Sequence, residues 1–484
     1  MASANYTDLL NKALADIGDA VAVADVTGEF YSGHALRQRI EGIASLLRAS
    51  GLERGDGLAQ LASNCVDAFA VMAACLRAGG RYTPLHPLGS LDQQRFVVND
   101  SQAKLLVIDS AAFAEWGARL ADAFPKLAVI TLSRANFGEY LGDLLVDRPW
   151  LDDQQDSEDI AWVSYTGGTT GDPKGVMHTQ KGMGATAEIA RAAWQFPEQP
   201  HFLACSPISH AAGFLVLPVL MLGGRVSLLP RFSPEPVIRC IENQGVNTLF
   251  LVPSMIYGLL DHPGVGQRDL SNLEHIIYAS APIAPERLRE ALHLFGPILH
   301  QCYGQTESIH ITCMTHKEHN PSVSRRLESV GRATLGMTVS VVDAHGSALP
   351  LKEVGEICVK GPSLLAGYWQ RPEASAEALQ SGWLHTGDVG FMDEEGFLFI
   401  VDRLKDMIIS GGFNIYSQDV ERALTAHDSV DVAAVVGLPD RKWGERVHAL
   451  VVLKAGRECS EEELIGFLRQ SAGPLLTPKS IEFD

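Results

Sequence analysis

The sequence predicts an α/β protein in three parts. A large N-terminal domain of mostly parallel sheets flanked by helices leads into a small β-rich subdomain, and a small α+β unit ends the chain. Three observations predict this. Up to about Ser329, short β-branched runs alternate with apolar stretches of helical period, the pattern of strands joined by crossover helices. From there the texture changes to short strands and turns. After Val401-Asp402-Arg403-Leu404-Lys405-Asp406 a fresh strand–helix–strand–strand–helix series begins. A chain of 484 residues also exceeds what one core sustains, so two domains are expected, 1–402 and 403–484.

The elements follow in order. Val21 to Asp25 reads as a strand, turned back by Thr27-Gly28 into Glu29-Phe30-Tyr31. Leu36, Ile40, Ile43 and Leu47 recur at helical spacing and stop near Gly51. Ser63-Asn64 are capping-type residues for a helix through Met72 and Leu76. Tyr82 to Leu85 is a strand, Ser90 starts a helix through Val98, and Lys104 to Asp109 is a buried strand. Residues 135–158 are acidic and irregular, a surface excursion. The alternation resumes with strands ending at Ser206, Leu229, Val252 and Ala279, and a helix over 234–244. Each strand end carries a loop where open α/β sheets bind ligands. Val339 to Asp343 and Gly355 to Gly361 are strands of the β-rich part. The last unit offers a helix from Ser417, strands at 432–436 and 448–453, and a Ser460/Glu463 capping box for a final helix.

Composition bounds the function. The net charge of −19 argues against a nucleic-acid or anionic-membrane binder, which needs a basic face. The eight cysteines are scattered without a C-x-x-C pair, as buried thiols in a reducing compartment would be. The opening MASANYTDLL lacks a signal-peptide profile, and the longest apolar run, 214–222, is short and broken by Pro218. A cytoplasmic enzyme without a transmembrane segment is expected. The oligomeric state is not readable, and a homodimer is left open.

Tyr165 to Gly175, YTGGTTGDPKG, is the chemical centre. Four glycines and three threonines in eleven residues fit neither a packed helix nor an ordinary strand. Glycine lets backbone N–H groups approach an anion, threonine adds hydroxyl donors, and Lys174 adds a positive charge. Asp159 to Ser164 and Val176 to Thr179 read as flanking strands. A flexible surface turn is the plainer alternative. A Walker A loop is excluded, because Lys174 lies between Pro173 and Gly175 instead of preceding Ser or Thr at a helix start.

Other loops supply matching chemistry. Tyr303-Gly304-Gln305-Thr306-Glu307, at a strand end, offers a ring to a purine, a glycine for close approach, a hydroxyl for a phosphate and a hard oxygen ligand for Mg²⁺. Ala279-Ser280-Ala281-Pro282 would line the other side of the adenine. Trp383 to Asp388 reads as a third loop, with Asp388 suited to ribose hydroxyls. Arg403 is a fork donor for ribose or the α-phosphate, or else a surface salt-bridge partner.

In order along the chain, the phosphate loop, SPISHAAG (206–213), ASAP (279–282), YGQTE (303–307), GEICVKGPSLLAGYW (355–369), GWLHTGD (382–388) and VDRLKDMIISGGFNI (401–415) resemble the adenylate-forming superfamily of acyl- and aryl-CoA synthetases. The resemblance implies a small mobile C-terminal lid and two half-reactions. A carboxylate attacks the ATP α-phosphate to give an acyl-adenylate and pyrophosphate, and a thiol then displaces AMP. It implies that Thr166, Gly167, Gly168, Thr169, Thr170 and Lys174 hold the β- and γ-phosphates. Thr306 would hold the α-phosphate, Glu307 the Mg²⁺, and Asp388 and Arg403 the ribose. His210 would stand beside the acid pocket, Lys405 would be the hinge, and Gly411-Gly412 would pass the pantetheine arm of coenzyme A.

The resemblance also places a lysine in a Pro-x-x-x-x-Gly-Lys segment late in the lid. The sequence stops at Pro478-Lys479-Ser480-Ile481-Glu482-Phe483-Asp484, before that segment, so truncation and weak adenylation are expected of this polypeptide, by about two to three orders of magnitude. A ligase that loads an acyl carrier protein is the alternative within the same chemistry, and an impaired nucleotide-binding protein the alternative outside it. No G-x-S-x-G elbow supports a serine hydrolase. Ala211, Ala212 and Gly213 leave room for a ring or medium chain, Phe214, Met255, Tyr257 and Ile309 could wall it, and His310 is the candidate for a second carboxylate. A monocarboxylic aromatic or medium-chain fatty acid is expected.

Overall fold

The computed structural model describes residues 5–26, 28–145, 155–166, 173–320, 322–410, 413–440, 443–473 and 475–484. The chain forms two compact units, one of Met1–Thr338 with Lys360–Leu384, the other of Val339–Val359 with His385–Asp484.

The first unit holds two large sheets. In the nine-stranded sheet, His201–Ala204, Arg225–Leu228, Thr248–Leu251, His275–Tyr278, Leu299–Gln305 and Val21–Asp25 run parallel. Phe30–Ser32 closes one edge antiparallel, and Ser308–Met314 with Arg332–Ala333 closes the other. The eight-stranded sheet is parallel from Ile160–Thr166 through Arg81–Pro84, Gly57–Leu61, Ala103–Ile108 and Ala128–Thr131 to Glu139–Tyr140. Its other side ends antiparallel with Lys174–Thr179 and the two-residue strand Gly367–Tyr368. The mostly parallel α/β expectation therefore holds. Part of the acidic 135–158 segment is more ordered than a loop, since Glu139–Tyr140 joins this sheet and Leu141–Leu144 is helical.

The largest core lies between the sheets. Val23, Phe202 and Val226 of one meet Leu58, Tyr82 and Trp162 of the other through Leu36, Leu47 and Phe69 on intervening helices and Trp194 just past the end of helix Gln180–Ala193. The predicted stripe Leu36, Ile40, Ile43 and Leu47 is wholly buried on helix Gly33–Ala49, capped by the Ser32 hydroxyl. Helices Pro234–Gln244, Pro253–Leu260 and Pro285–Phe295 cover the nine-stranded sheet's far face. Leu91–Asp100 and Ala114–Ala123 cover that of the eight-stranded sheet.

One expected cap is corrected. Helix Val66–Arg77 begins after Cys65, and neither Ser63 nor Asn64 caps it. Ser63 Oγ instead donates to Asp109 Oδ2 at 2.5 Å. The buried Asn64 amide donates to the carbonyls of Ala204 (3.1 Å), Ser206 (2.8 Å) and Leu229 (3.0 Å), while its Oδ1 accepts from Ile208 N at 2.8 Å. A buried amide that satisfies several main-chain groups stabilises more than a solvated cap does.

In the second unit, Leu398–Arg403 pairs antiparallel with the Asp388–Met392 part of the strand Trp383–Met392. A five-stranded sheet of Phe413–Ile415, Ile408–Ser410, Gly444–Leu453, Val430–Asp440 and Ser480–Phe483 packs on helices Ser417–Thr425 and Glu461–Ser471. The Ser460/Glu463 capping box is present in both directions. Among the described residues, no helix is long and apolar enough to cross a membrane.

Candidate active site

The glycine-rich stretch is carried by a hairpin in which Thr166 faces Lys174 across the strands Ile160–Thr166 and Lys174–Thr179. Gly167, Gly168, Thr169 and Thr170 lie outside the described residues. Lys174 is exposed, its Nζ 5.2 Å from the centre of the Tyr368 ring.

Thr306 and Glu307 are the two-residue turn between Leu299–Gln305 and Ser308–Met314, with Gln305 facing Ser308. The YGQTE stretch is thus one arm and the tip of a hairpin. Gly304 sits where the register shifts, and a Cβ there would lie 1.9 Å from Ile309 O. The glycine that the sequence offers for ligand approach is required first by its own partner strand. Tyr303 is buried and Ile309 half-buried.

The two hairpins meet. His178 Nε2 lies 2.6 Å from Thr306 O, and burial holds that imidazole below its ordinary pKa, so it donates as a neutral ring. Tyr368 Oη donates to Glu307 Oε1 at 2.9 Å, and Leu365 N donates to Glu307 O at 2.8 Å. Asp100 supports the same corner, accepting from Tyr165 Oη (2.7 Å), Arg371 Nη2 (2.9 Å) and, at its carbonyl, Trp369 Nε1 (2.9 Å). Sequence reasoning assigned no role to His178, Asp100 or Tyr368. Their periodicity is that of ordinary strand and helix positions, and only GYW, in the quoted 355–369 segment, hinted at the last.

Ala279 is buried at the end of His275–Tyr278, while Ser280 and Ala281 are exposed. Ser280 has φ +75°, a left-handed conformation that turns the chain sharply out of the strand. His210 precedes the 3₁₀ turn Ala211–Leu215. Its ring packs edge-on against His86 at 4.6 Å, and Ser209 Oγ is 2.9 Å from Nδ1. Burial, then the neighbouring His86, push its pKa down to about 4. His210 is therefore a neutral hydrogen-bonding group at pH 7, one ring nitrogen a donor and the other an acceptor.

The apolar wall is divided. Ala211, Phe214 and Ala279 belong to the core between the sheets, Phe214 lying 5.4 Å from the Trp162 ring. Met255 and Tyr257 pack instead in the cluster on the far face, where Tyr257 Oη accepts from Ala284 N. His310 is buried against Trp194 and Cys302, with its pKa pushed down to about 4 by burial. Burial thus favours its neutral form.

In the second unit, Asp388 stands on a strand, which corrects the expected loop over Trp383–Asp388. The buried Leu384, Asp388 and Val389 and the pairing with Leu398–Arg403 explain the strand. Asp388 faces Arg403 across the ladder, with Arg403 Nε 3.2 Å from Asp388 Oδ1. The two expected ribose ligands are thus brought together, by a salt bridge to each other. Beside them, Glu356 accepts from Gly387 N and lies 2.7 Å from His385 Nδ1, and Cys358 joins these two to place three donor atoms within 4.8 Å of one another. Lys405 is exposed just beyond Arg403, and Gly411 and Gly412 lie outside the described residues.

Residues 10–369 match the family of AMP-binding enzymes, and residues 419–483 match the C-terminal domain of AMP-binding enzymes. A medium/long-chain-fatty-acid–CoA ligase, FadD8 of Mycobacterium tuberculosis, is 38% identical over 93% of this chain and 81% of its own length. A feruloyl-CoA synthase of an Amycolatopsis species is 35% identical over 93% of this chain and 89% of its own. Among solved structures, the amide bond synthetase McbA of Marinactinospora thermotolerans superposes with a TM-score of 0.89 at 33% identity, covering 99% of this chain and 96% of that one. The chain belongs to the AMP-binding enzyme family, the adenylate-forming superfamily of acyl- and aryl-CoA synthetase type.

Proposed function

We propose that this chain is an AMP-forming ligase that activates a monocarboxylic aromatic or medium-chain fatty acid and passes it to coenzyme A. A carboxylate oxygen attacks the ATP α-phosphorus and pyrophosphate leaves. The coenzyme A thiol then attacks the acyl carbon, the thiol proton is lost, and AMP departs. The observation that carries this reading is the junction of the two hairpins, where Lys174, Tyr368 and Glu307 stand in series and His178 holds the Thr306 carbonyl.

Lys174 is proposed for the outer phosphates and the Thr306 hydroxyl for the α-phosphate. Glu307 suits a hard divalent cation: Oε1 carries the Tyr368 hydrogen bond, and Oε2 has no partner among the described residues. Magnesium, when bound, offsets the charge of the phosphates. Catalysis is otherwise by placement and preorganised charge. Neutral His210 is proposed to hydrogen-bond the acid without drawing it into an ion pair. Small Ala211 and apolar Phe214 leave room for one uncharged tail, and neutral His310 offers no counter-charge for a second carboxylate. Asp388 and Arg403 are proposed for the ribose. The lid is proposed to begin after Asp402 and to turn about Lys405, a boundary that falls between the two family matches.

The test is AMP and pyrophosphate release with ATP, magnesium and a panel of carboxylic acids, with thioester scored on coenzyme A and on an acyl carrier protein. Aromatic and medium-chain monocarboxylates should turn over on coenzyme A. No AMP from any acid would overturn the reading, and turnover on the carrier protein alone would replace the acceptor.

A further inference from the structure

We propose that Tyr368 is a positioning residue that fixes the Glu307 carboxylate and the Lys174 ammonium from a single ring. The proposal rests on the reading above, in which Glu307 meets the divalent cation and Lys174 the phosphates.

The backbone makes Tyr368 a fixed post. Gly367 and Tyr368 face Met177 and Val176 on the strand that Lys174 opens. Ala366 N donates to Met177 O and Trp369 N to Gly175 O, both at 2.7 Å. Tyr368 N donates to Ser375 Oγ at 2.8 Å, and Arg371 is tied to Asp100. The neighbouring Trp369 ring lies 3.8 Å beneath the Arg81 guanidinium.

Glu307, by contrast, stands at the tip of a two-residue turn, where a carboxylate has rotamer freedom. The Tyr368 hydroxyl takes Oε1, so the carboxylate is ordered before any cation arrives. A tyrosine phenol is protonated at neutral pH and is the donor in this contact. The same ring presents its face to Lys174 Nζ, a cation–π contact that restrains the ammonium near the turn. Hydroxyl and ring face are separable by substitution, and they act on different partners.

Binding of a fluorescent ATP analogue to the full chain, titrated with and without magnesium, tests this. Tyr368→Phe keeps the ring and removes the hydroxyl. Its metal-free nucleotide affinity should stay within about twofold of wild type, while the magnesium concentration for half-maximal enhancement should rise about three- to tenfold, the net weight of one ordinary hydrogen bond. Tyr368→Leu also removes the ring face and should weaken metal-free binding about two- to fivefold. A strap with a merely structural role would shift both titrations of Tyr368→Phe together with its thermal midpoint. That result, or a Tyr368→Phe curve that superimposes on wild type or moves to lower magnesium, overturns the proposal. A wild-type protein whose nucleotide binding ignores magnesium would remove the assignment of Glu307 itself and this proposal with it.

Discussion

Replacing Asn64 by alanine tests how the acid-side loop is held. The Asn64 amide joins the ends of two neighbouring strands, at Ala204 and Leu229, to the loop that leads into His210. Ala204 O keeps a second donor, Leu229 N at 3.0 Å, so its loss is small. Ile208 N, Ser206 O and Leu229 O lose their Asn64 partner in a buried setting. At about 1–3 kcal/mol for each buried group left unpaired, the substitution should cost the first unit at least about 3 kcal/mol. Trp162 and Trp194 are fully buried in the same core and report unfolding by fluorescence in a denaturant titration. Function should follow structure, with KM for the acid rising as His210 loses its fixed place while nucleotide affinity changes little. Asn64→Asp should be worse than alanine, because it faces three carbonyl oxygens with a carboxylate. A denaturation midpoint within about 0.5 kcal/mol of wild type, the size of an ordinary surface change, would refute the reasoning. So would acid and ATP constants that move in step.

Acid stability follows from buried imidazoles. Burial lowers His201, His275, His310 and His319 to about 4 and His300 to about 2. Their folded pKa values lie below the unfolded one, so their stabilising effect is complete above about pH 6.5. It is lost as pH falls toward 4, by up to about 1.4 kcal/mol per pH unit for each histidine. Stability that stays flat from pH 7 to pH 5 in denaturant titrations would contradict this. Gly304→Ala should open the Thr306–Glu307 hairpin, since its Cβ would lie 1.9 Å from Ile309 O. The expected result is soluble protein with adenylation reduced at least about a hundredfold, from loss of a preorganised group, and pyrophosphate release near wild type would speak against it. Glu307→Gln keeps the Tyr368 hydrogen bond but removes the charge, and should lower adenylation about 10²- to 10³-fold. Sensitivity to magnesium in the nucleotide titration should fall with it, and unchanged magnesium dependence would count against Glu307 as the ligand.

Much of this was legible in the residues. Leu36, Ile40, Ile43 and Leu47 announced a helix because only period 3.6 puts them on one face, and the Ser460/Glu463 pair announced a helix start because its two bonds are local. The hairpin before Lys174 could be read from strand patterns on either side of the glycines. Asn64 was misread because its partners, Ala204, Ser206, Ile208 and Leu229, lie far away in sequence, and a buried amide looks like a cap when only neighbours are visible. The strand at Trp383–Met392 was read as a loop since Thr386-Gly387-Asp388 carries turn residues, and its pairing with Leu398–Arg403 overrides that local preference. Tyr368 and His178 were invisible for a related reason. Each acts through one contact to a turn more than a hundred positions removed in the case of His178, and about sixty in the case of Tyr368.

The strand Gly367–Tyr368 has a second consequence, for solubility. It lies outermost on the eight-stranded sheet, over the backbone of Lys174–Thr179. A long bare margin there would present N–H and C=O groups to any passing chain as a template for growth. Two residues are too few to recruit a stranger, and Pro372 follows almost at once to begin a helix. The margin is sealed by the protein's own chain, so molecules can crowd in solution without zipping together along it.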